Sequence, residues 1–116
     1  MKKTPKKPVK RTRSCVMETS FLEDLRFWVG GDRKIAIRVL DLVEAVMRDP
    51  FDGIGKPEPL KYSSANTWSR RIIDEHRLLY IVQNEEIAFI QARFHYSKQN
   101  ILIENTNEQA FYTSHP

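Results

Sequence analysis

An α+β fold, with two N-terminal helices packed on one face of an antiparallel β-sheet, is predicted by three observations. Apolar residues recur at helical spacing between Thr19 and Asp49. A break rich in proline and glycine follows over residues 50–61, with Pro50, Gly53, Gly55, Pro57 and Pro59. Three short segments of strand character then come in succession up to Phe94. Consecutive strands pair with one another, and the helices' apolar stripes need a sheet face to cover, so the two kinds of element separate into layers. The second sheet face is left free for polar chemistry.

Taken in order, residues 1–13 hold Lys2, Lys3, Lys6, Lys7, Lys10, Arg11 and Arg13 with Pro5 and Pro8 and no acid, which reads as a disordered basic tail. Ser14 to Met17 is long enough for a first strand. Thr19 to Val29 reads as a short amphipathic helix in which Ser20 and Glu23 have capping-box spacing. Phe21, Leu22, Leu25 and Trp28 supply its apolar side, and Gly30-Gly31 stops it. Asp32 is placed as the cap of a longer helix running to about Asp49. Its stripe of Ile35, Val39, Leu42, Val43, Val46 and Met47 faces a core. Pro50 ends that helix.

The strand segments are Trp68 to Asp74, Arg77 to Gln83 and Glu86 to Phe94. The middle one carries Leu78, Leu79, Tyr80, Ile81 and Val82, apolar on both faces, and so belongs at the centre of the sheet. Gln83 to Glu86 is short enough for a hairpin turn. Ile101, Leu102 and Ile103 are expected to add a short strand or to cover an edge. The chain thus divides into a tail over 1–13, one domain over 14–96 and a C-terminal extension over 97–116.

With 116 residues there is room for one modest core, and no apolar run approaches the ~20 residues of a membrane span. Cys15 is the only cysteine, which excludes an intrachain disulfide and fits a reducing, cytoplasmic compartment. One cysteine and three histidines without paired spacing point away from a metal site. The net charge of +4 belongs to the tail: it takes seven of the 19 cations, and the remaining 12 face all 15 acids, which leaves −3. A freely acting ribonuclease normally needs a basic surface of its own, so that class is disfavoured.

Several residues have side chains suited to cleaving RNA. Glu58 lies between two prolines that restrict its backbone, which suits a general base; an exposed loop acid is the plainer reading. Arg77 starts the central strand, and its planar fork fits a phosphate, though Asp74 and Glu75 are near enough for a salt bridge. His95 ends the last strand between Phe94 and Tyr96, where an imidazole can give a proton to an alkoxide or simply pack. Lys61, Arg70 and Arg71 add charge, but neighbours on a strand point to opposite faces, so Arg70 and Arg71 cannot both meet a substrate. Trp68 reads as a core anchor, His76 as part of a turn and Cys15 as a buried small residue.

Read together, Pro50-Phe51-Asp52-Gly53, Gly55-Lys56-Pro57-Glu58-Pro59-Leu60-Lys61, Trp68-Ser69-Arg70-Arg71-Ile72, Glu75-His76-Arg77-Leu78 and His95-Tyr96 closely resemble the YoeB/Txe family of bacterial toxins, within the RelE-like superfamily. The resemblance runs without a gap from about Val16 to Tyr96. It implies a microbial-ribonuclease-like fold and a metal-independent endoribonuclease that cuts messenger RNA in the ribosomal A site through attack by the 2′-hydroxyl. Position by position it implies Glu58 as general base, His95 as general acid, Arg77 as stabiliser of the phosphorane, and Lys61, Arg71 and Tyr96 in assisting or substrate-binding roles. It implies no cofactor or metal. The partners implied are a YefM-like antitoxin, the ribosome with its messenger, operator DNA only through the antitoxin complex, and a second copy as a homodimer. The alternative is a non-catalytic relative that binds its antitoxin and takes part in operon autoregulation. Twenty residues follow Tyr96, whereas family members usually stop at the His-Tyr pair.

Overall fold

Helical periodicity is realised as α1 (Thr19–Gly31) and α2 (Arg33–Arg48) in the computed structural model, which describes residues 12–61 and 63–94. Phe21 and Trp28, two turns apart, are the buried residues of α1. Ala36, Val39, Leu42, Val43, Ala45 and Val46 form the buried side of α2. Gly30 and Gly31 make the last turn of α1 instead of ending it earlier. Asp32 joins the two helices: its N–H donates to the Trp28 carbonyl, and its own carbonyl accepts from Ile35 and Ala36. The expected side-chain caps are absent. Glu18, not Ser20, precedes α1, neither Glu18 nor Asp32 makes a side-chain cap bond, and the Ser20 hydroxyl instead donates to the Ile90 carbonyl.

The strands are β1 (Ser14–Met17), β2 (Glu58–Pro59), β3 (Thr67–Ile73), β4 (His76–Val82) and β5 (Glu86–Gln91), in the spatial order β1-β5-β4-β3-β2. The pairs from β2 to β5 are antiparallel, as expected. β1 adds a parallel edge, Ser14 opposite Glu86 and Met17 opposite Phe89. Directions alternate from β2 to β5, so the chain re-enters the sheet after the helices antiparallel to β1, and three reversals later β5 runs parallel to it. Arg13 is tied to the fold as well, donating Nε to the Gln83 carbonyl at 2.7 Å.

Both helices lie on one face, α1 against β5 and α2 against β3. The core between the layers joins Phe21, Val39, Leu42 and Val46 to Ile72, Leu78, Tyr80, Ile87 and Phe89. Period-two alternation sets which strand residues belong to it. Arg70 and Ile72 of β3 and Leu78, Tyr80 and Val82 of β4 face the helices. Residues 1–11 and 95–116 lie outside the described residues, and with them His95, Tyr96, the expected strand at Ile101–Ile103 and most of the basic tail.

Candidate active site

The loop that delivers Glu58 is built around a buried arginine. Arg70 has no exposed surface. Its Nη2 donates to the Asp49 carbonyl at 2.6 Å and the Asp52 carbonyl at 3.2 Å, and Nη1 to the Ile54 carbonyl at 3.0 Å. Nε donates to the Tyr80 hydroxyl, which itself donates to the Pro50 carbonyl at 2.7 Å. Among the described residues Arg70 has no ion-pair partner, so aligned carbonyl dipoles carry the compensation for its charge. Burial raises the Tyr80 phenol above its ordinary value, and the Arg70 contact opposes this in part. The phenol therefore stays protonated and able to donate.

Gly55 closes this loop against the sheet. It has φ +85, and a Cβ there would sit 2.7 Å from Leu42 Cδ2 and 3.1 Å from Arg70 Cβ. Its carbonyl accepts from the Arg71 N–H at 2.6 Å. Lys56 also takes a left-handed φ of 57. Two residues later the chain enters β2, so Glu58 is the start of an edge strand and not a free loop acid.

Register then decides which side chains meet. Glu58 stands opposite Ser69, Ser69 opposite Leu79, and Leu79 opposite Gln91, a row across four strands. Two residues along, Arg71 stands opposite Arg77. Residues paired this way point to the same face, here the one away from the helices. Glu58 and Arg71 are exposed, and Arg77 is partly so. Two strand spacings and two residue steps put the α-carbons of Glu58 and Arg77 about 12 Å apart. Arg77 makes no salt bridge to Asp74 or Glu75 among the described residues; Nη1 donates to the Asp74 and His76 carbonyls, at 2.6 and 3.1 Å. Like charges directly opposite on a sheet repel, so the Arg71–Arg77 pair favours an anion between the two heads. Lys61 is exposed just after β2.

Beyond β5 the chain leaves the ladder under close control. The Ala92 N–H donates to Asp24 Oδ2 and the Ala92 carbonyl accepts from Trp28 Nε1, at 2.9 and 2.8 Å. The Phe94 N–H donates to His76 Nδ1 at 2.7 Å, and the Phe94 carbonyl accepts from the Arg77 N–H at 2.9 Å. His95 and Tyr96 follow directly in sequence, outside the described residues.

The structure thus brings Glu58, Arg71 and Arg77 together on one face and separates Arg70 from them. Sequence reasoning missed Arg70 as the organiser of the loop. Its signal was present, since Arg70 alternates with Trp68 and Ile72 on the apolar side of β3. His76 is also not a turn residue but the first of β4, with its side chain mostly enclosed. Cys15 is exposed, contrary to expectation, because β1 lies at the sheet edge; desolvation nonetheless raises its thiol, which disfavours the nucleophilic thiolate.

Residues 17–96 match the family model of YoeB-like toxins of bacterial type II toxin–antitoxin systems. The chain is 48% identical over 84 residues to a Mycobacterium bovis protein named Toxin YoeB, covering 72% of this chain and 99% of that one. Its structure is similar to a YoeB dimer from Staphylococcus aureus, with TM-score 0.65, 32% identity, and 73% of this chain and 99% of that chain covered. It is similar too to the YoeB of a heterotetrameric YoeB–YefM toxin–antitoxin complex from the same species, with TM-score 0.63, 32% identity and coverage of 72% and 98%. The face carrying Glu58, Arg71 and Arg77 therefore lies within the matched region, and the chain belongs to the YoeB-like toxins of bacterial type II toxin–antitoxin systems.

Proposed function

We propose that this toxin is a ribosome-dependent, metal-independent endoribonuclease that cuts messenger RNA. The observation that carries the reading is a shared sheet face: the register puts the Glu58 carboxylate of β2 and the Arg77 cation of β4 on the same side, away from the helices. The Glu58 carboxylate takes the proton of the ribose 2′-hydroxyl, whose oxygen attacks the adjacent phosphorus. Negative charge grows on the non-bridging oxygens, where Arg77, with Arg71 and Lys61, meets it. The bond to the 5′-oxygen breaks, and His95 gives that oxygen a proton. The products are a 2′,3′-cyclic phosphate and a 5′-hydroxyl. Tyr96 orients a nucleotide beside the cleaved bond.

Residues 14–116 carry −3, a poor charge for holding free RNA, so the ribosome supplies the binding surface and the codon in an extended form. The antitoxin is YefM-like, by likeness to the S. aureus complex. Exposed Leu22, Val29, Ile37 and Leu40 on α1 and α2 offer apolar surface for protein partners, a second copy among them. Operator DNA is met only through the antitoxin complex. This chemistry places the protein in the cytoplasm, where its substrate is translated.

Primer extension on a messenger after induction is the test, comparing wild type with Glu58→Ala. Cuts within codons that vanish in Glu58→Ala are expected. Growth arrest without cuts overturns the reading and leaves a toxin fold that acts by binding alone.

A further inference from the structure

We propose that Ser69 is a positioning residue for Glu58, its hydroxyl donating to the carboxylate that takes the ribose proton; this rests on the reading of Glu58 as the general base. Ser69 stands directly opposite Glu58 across the β2–β3 ladder. Its side chain faces away from the helices, as that of Glu58 does, yet it is only 6% exposed. The buried polar side chains on either side of it are satisfied. The Thr67 hydroxyl lies 2.8 Å from that of Ser63, and Arg70 donates to three carbonyls and a phenol. The Ser69 hydroxyl makes no hydrogen bond among the described residues. Folds rarely keep a buried hydroxyl unbonded, and one kept beside a functional carboxylate points to a role there.

Of the side chains that share its face on the neighbouring ladder positions, one can take that proton. Opposite Ser69 on β4 is Leu79, buried and without an acceptor. Diagonal to it on β4 are Ile81, also apolar, and Arg77, whose side chain only donates. Along β3, Thr67 and Arg71 share the face but start about 7 Å away. Across to β2, directly paired residues have their β-carbons about 4.5–5.5 Å apart, which a serine and a glutamate can bridge. The Glu58 carboxylate is an acceptor, and Glu58 is exposed. Water competes for it in the free protein. An RNA strand laid on this face displaces that water, and the Ser69 hydroxyl then becomes the donor that fixes the direction of the carboxylate. Pro57 and Pro59 restrain the backbone around Glu58 but leave its side-chain torsions free, so the neighbouring strand supplies what the backbone does not. The alignment matters because misplacement by about 1 Å costs up to ~100-fold in rate.

Two substitutions separate positioning from packing. Ser69→Ala removes the oxygen and keeps the β-carbon. Ser69→Thr keeps the hydroxyl and suits a strand. Single-turnover cleavage on programmed, saturating ribosomes is read beside ribosome affinity and the urea midpoint of the isolated protein. Positioning predicts that Ser69→Ala cuts ~10–100-fold more slowly at saturation while binding ribosomes as wild type does. Its urea midpoint should equal or exceed that of wild type, because a hydroxyl that makes no bond in the free protein is removed without loss. Ser69→Thr should cut within about threefold of wild type. A lowered midpoint in Ser69→Ala shows a hydroxyl already bonded within the fold and overturns the inference. Cutting at the wild-type rate, or a loss confined to ribosome affinity, overturns it too. So does a folded Ser69→Thr that cuts as slowly as Ser69→Ala. Should the extra methyl of Ser69→Thr prevent folding, Ser69→Ala decides alone. Wild-type protein that leaves the messenger uncut, or Glu58→Ala that cuts like wild type, defeats the reading of Glu58 as the base. Wild-type protein that cuts, with Glu58→Ala silent and Ser69→Ala as fast as wild type, defeats this inference alone.

Discussion

Arg70 and Arg71 are neighbours on β3 and live in opposite environments. Arg70 faces the helices, is fully enclosed, and donates to three loop carbonyls and a phenol. Arg71 faces the open side, is exposed, and stands opposite Arg77 with no neutralising ion pair among the described residues. The inner cation is satisfied completely by the protein and organises the loop behind Glu58. The outer pair is satisfied incompletely, which suits groups kept for a ligand. One residue type thus does structural or chemical work according to the parity of its position along a strand.

The strongest way to break this comparison is Arg70→Ala. It leaves the Asp49, Asp52 and Ile54 carbonyls and the Tyr80 hydroxyl short of a donor and opens a cavity under the loop. A buried acceptor left unsatisfied costs ~1–3 kcal/mol, so losing several together is a large share of a small domain's stability. Urea unfolding should show a much lower midpoint. Arg70→Ala with wild-type stability would contradict the organising role.

Arg77→Ala should do the opposite. Its Nη1 bonds are at the surface, so stability should change by no more than ~1 kcal/mol. Cleavage should fall ~10²–10³-fold, as on removal of a donor to a developing anion. Unfolding by this substitution, or unimpaired cutting by the folded variant, would place Arg77 with Arg70 and not with the substrate.

The split between the two faces was partly legible beforehand. The helices, the antiparallel strands and the central place of β4 follow from period, because burial on one or both faces imposes it. Glu58, Arg71 and Arg77 came from motif resemblance, and register explains why those spacings matter. The parallel β1, the exposed Cys15 and the absent Ser20 cap were not legible, since each depends on where the first strand docks. Arg70 was passed over because a charge within an apolar alternation invites a surface reading. The carbonyls that make its burial possible lie 16 to 21 residues away in sequence. His76 was hidden for a similar reason: its partner is the Phe94 backbone, which no side-chain pattern announces.

Tyr80→Phe sharpens the inner half of the comparison. The ring and its packing on Phe89 remain, while Arg70 Nε and the Pro50 carbonyl lose a partner. A cost of ~1–3 kcal/mol is expected. Alkaline pH tests the same bond. The folded phenol holds its proton above the ordinary value of 10.0 because burial disfavours phenolate. Its contribution is complete below pH 10, where the unfolded chain is protonated too, and is lost as pH rises from 10 through the higher folded value. Denaturation midpoints across that window should fall less in Tyr80→Phe than in wild type.

The smallest effect concerns the outer pair, and its sign is the informative part. Arg71→Thr removes one of two cations that stand opposite each other. The main-chain bonds of Arg71, from its N–H to Gly55 and from Arg38 to its carbonyl, do not depend on the side chain. Threonine suits an exposed strand position. Relief of repulsion should therefore stabilise the free protein by ~0.2–0.5 kcal/mol, the low end for like charges on a solvated sheet. Salt screens the same repulsion, so the gain should shrink as ionic strength rises past the point where the Debye length falls below about 8 Å. Cleavage or antitoxin binding should meanwhile weaken. A variant that is more stable and less active identifies a cation held at a cost for its ligand. A variant that loses stability instead would show that Arg71, like Arg70, is already satisfied within the fold.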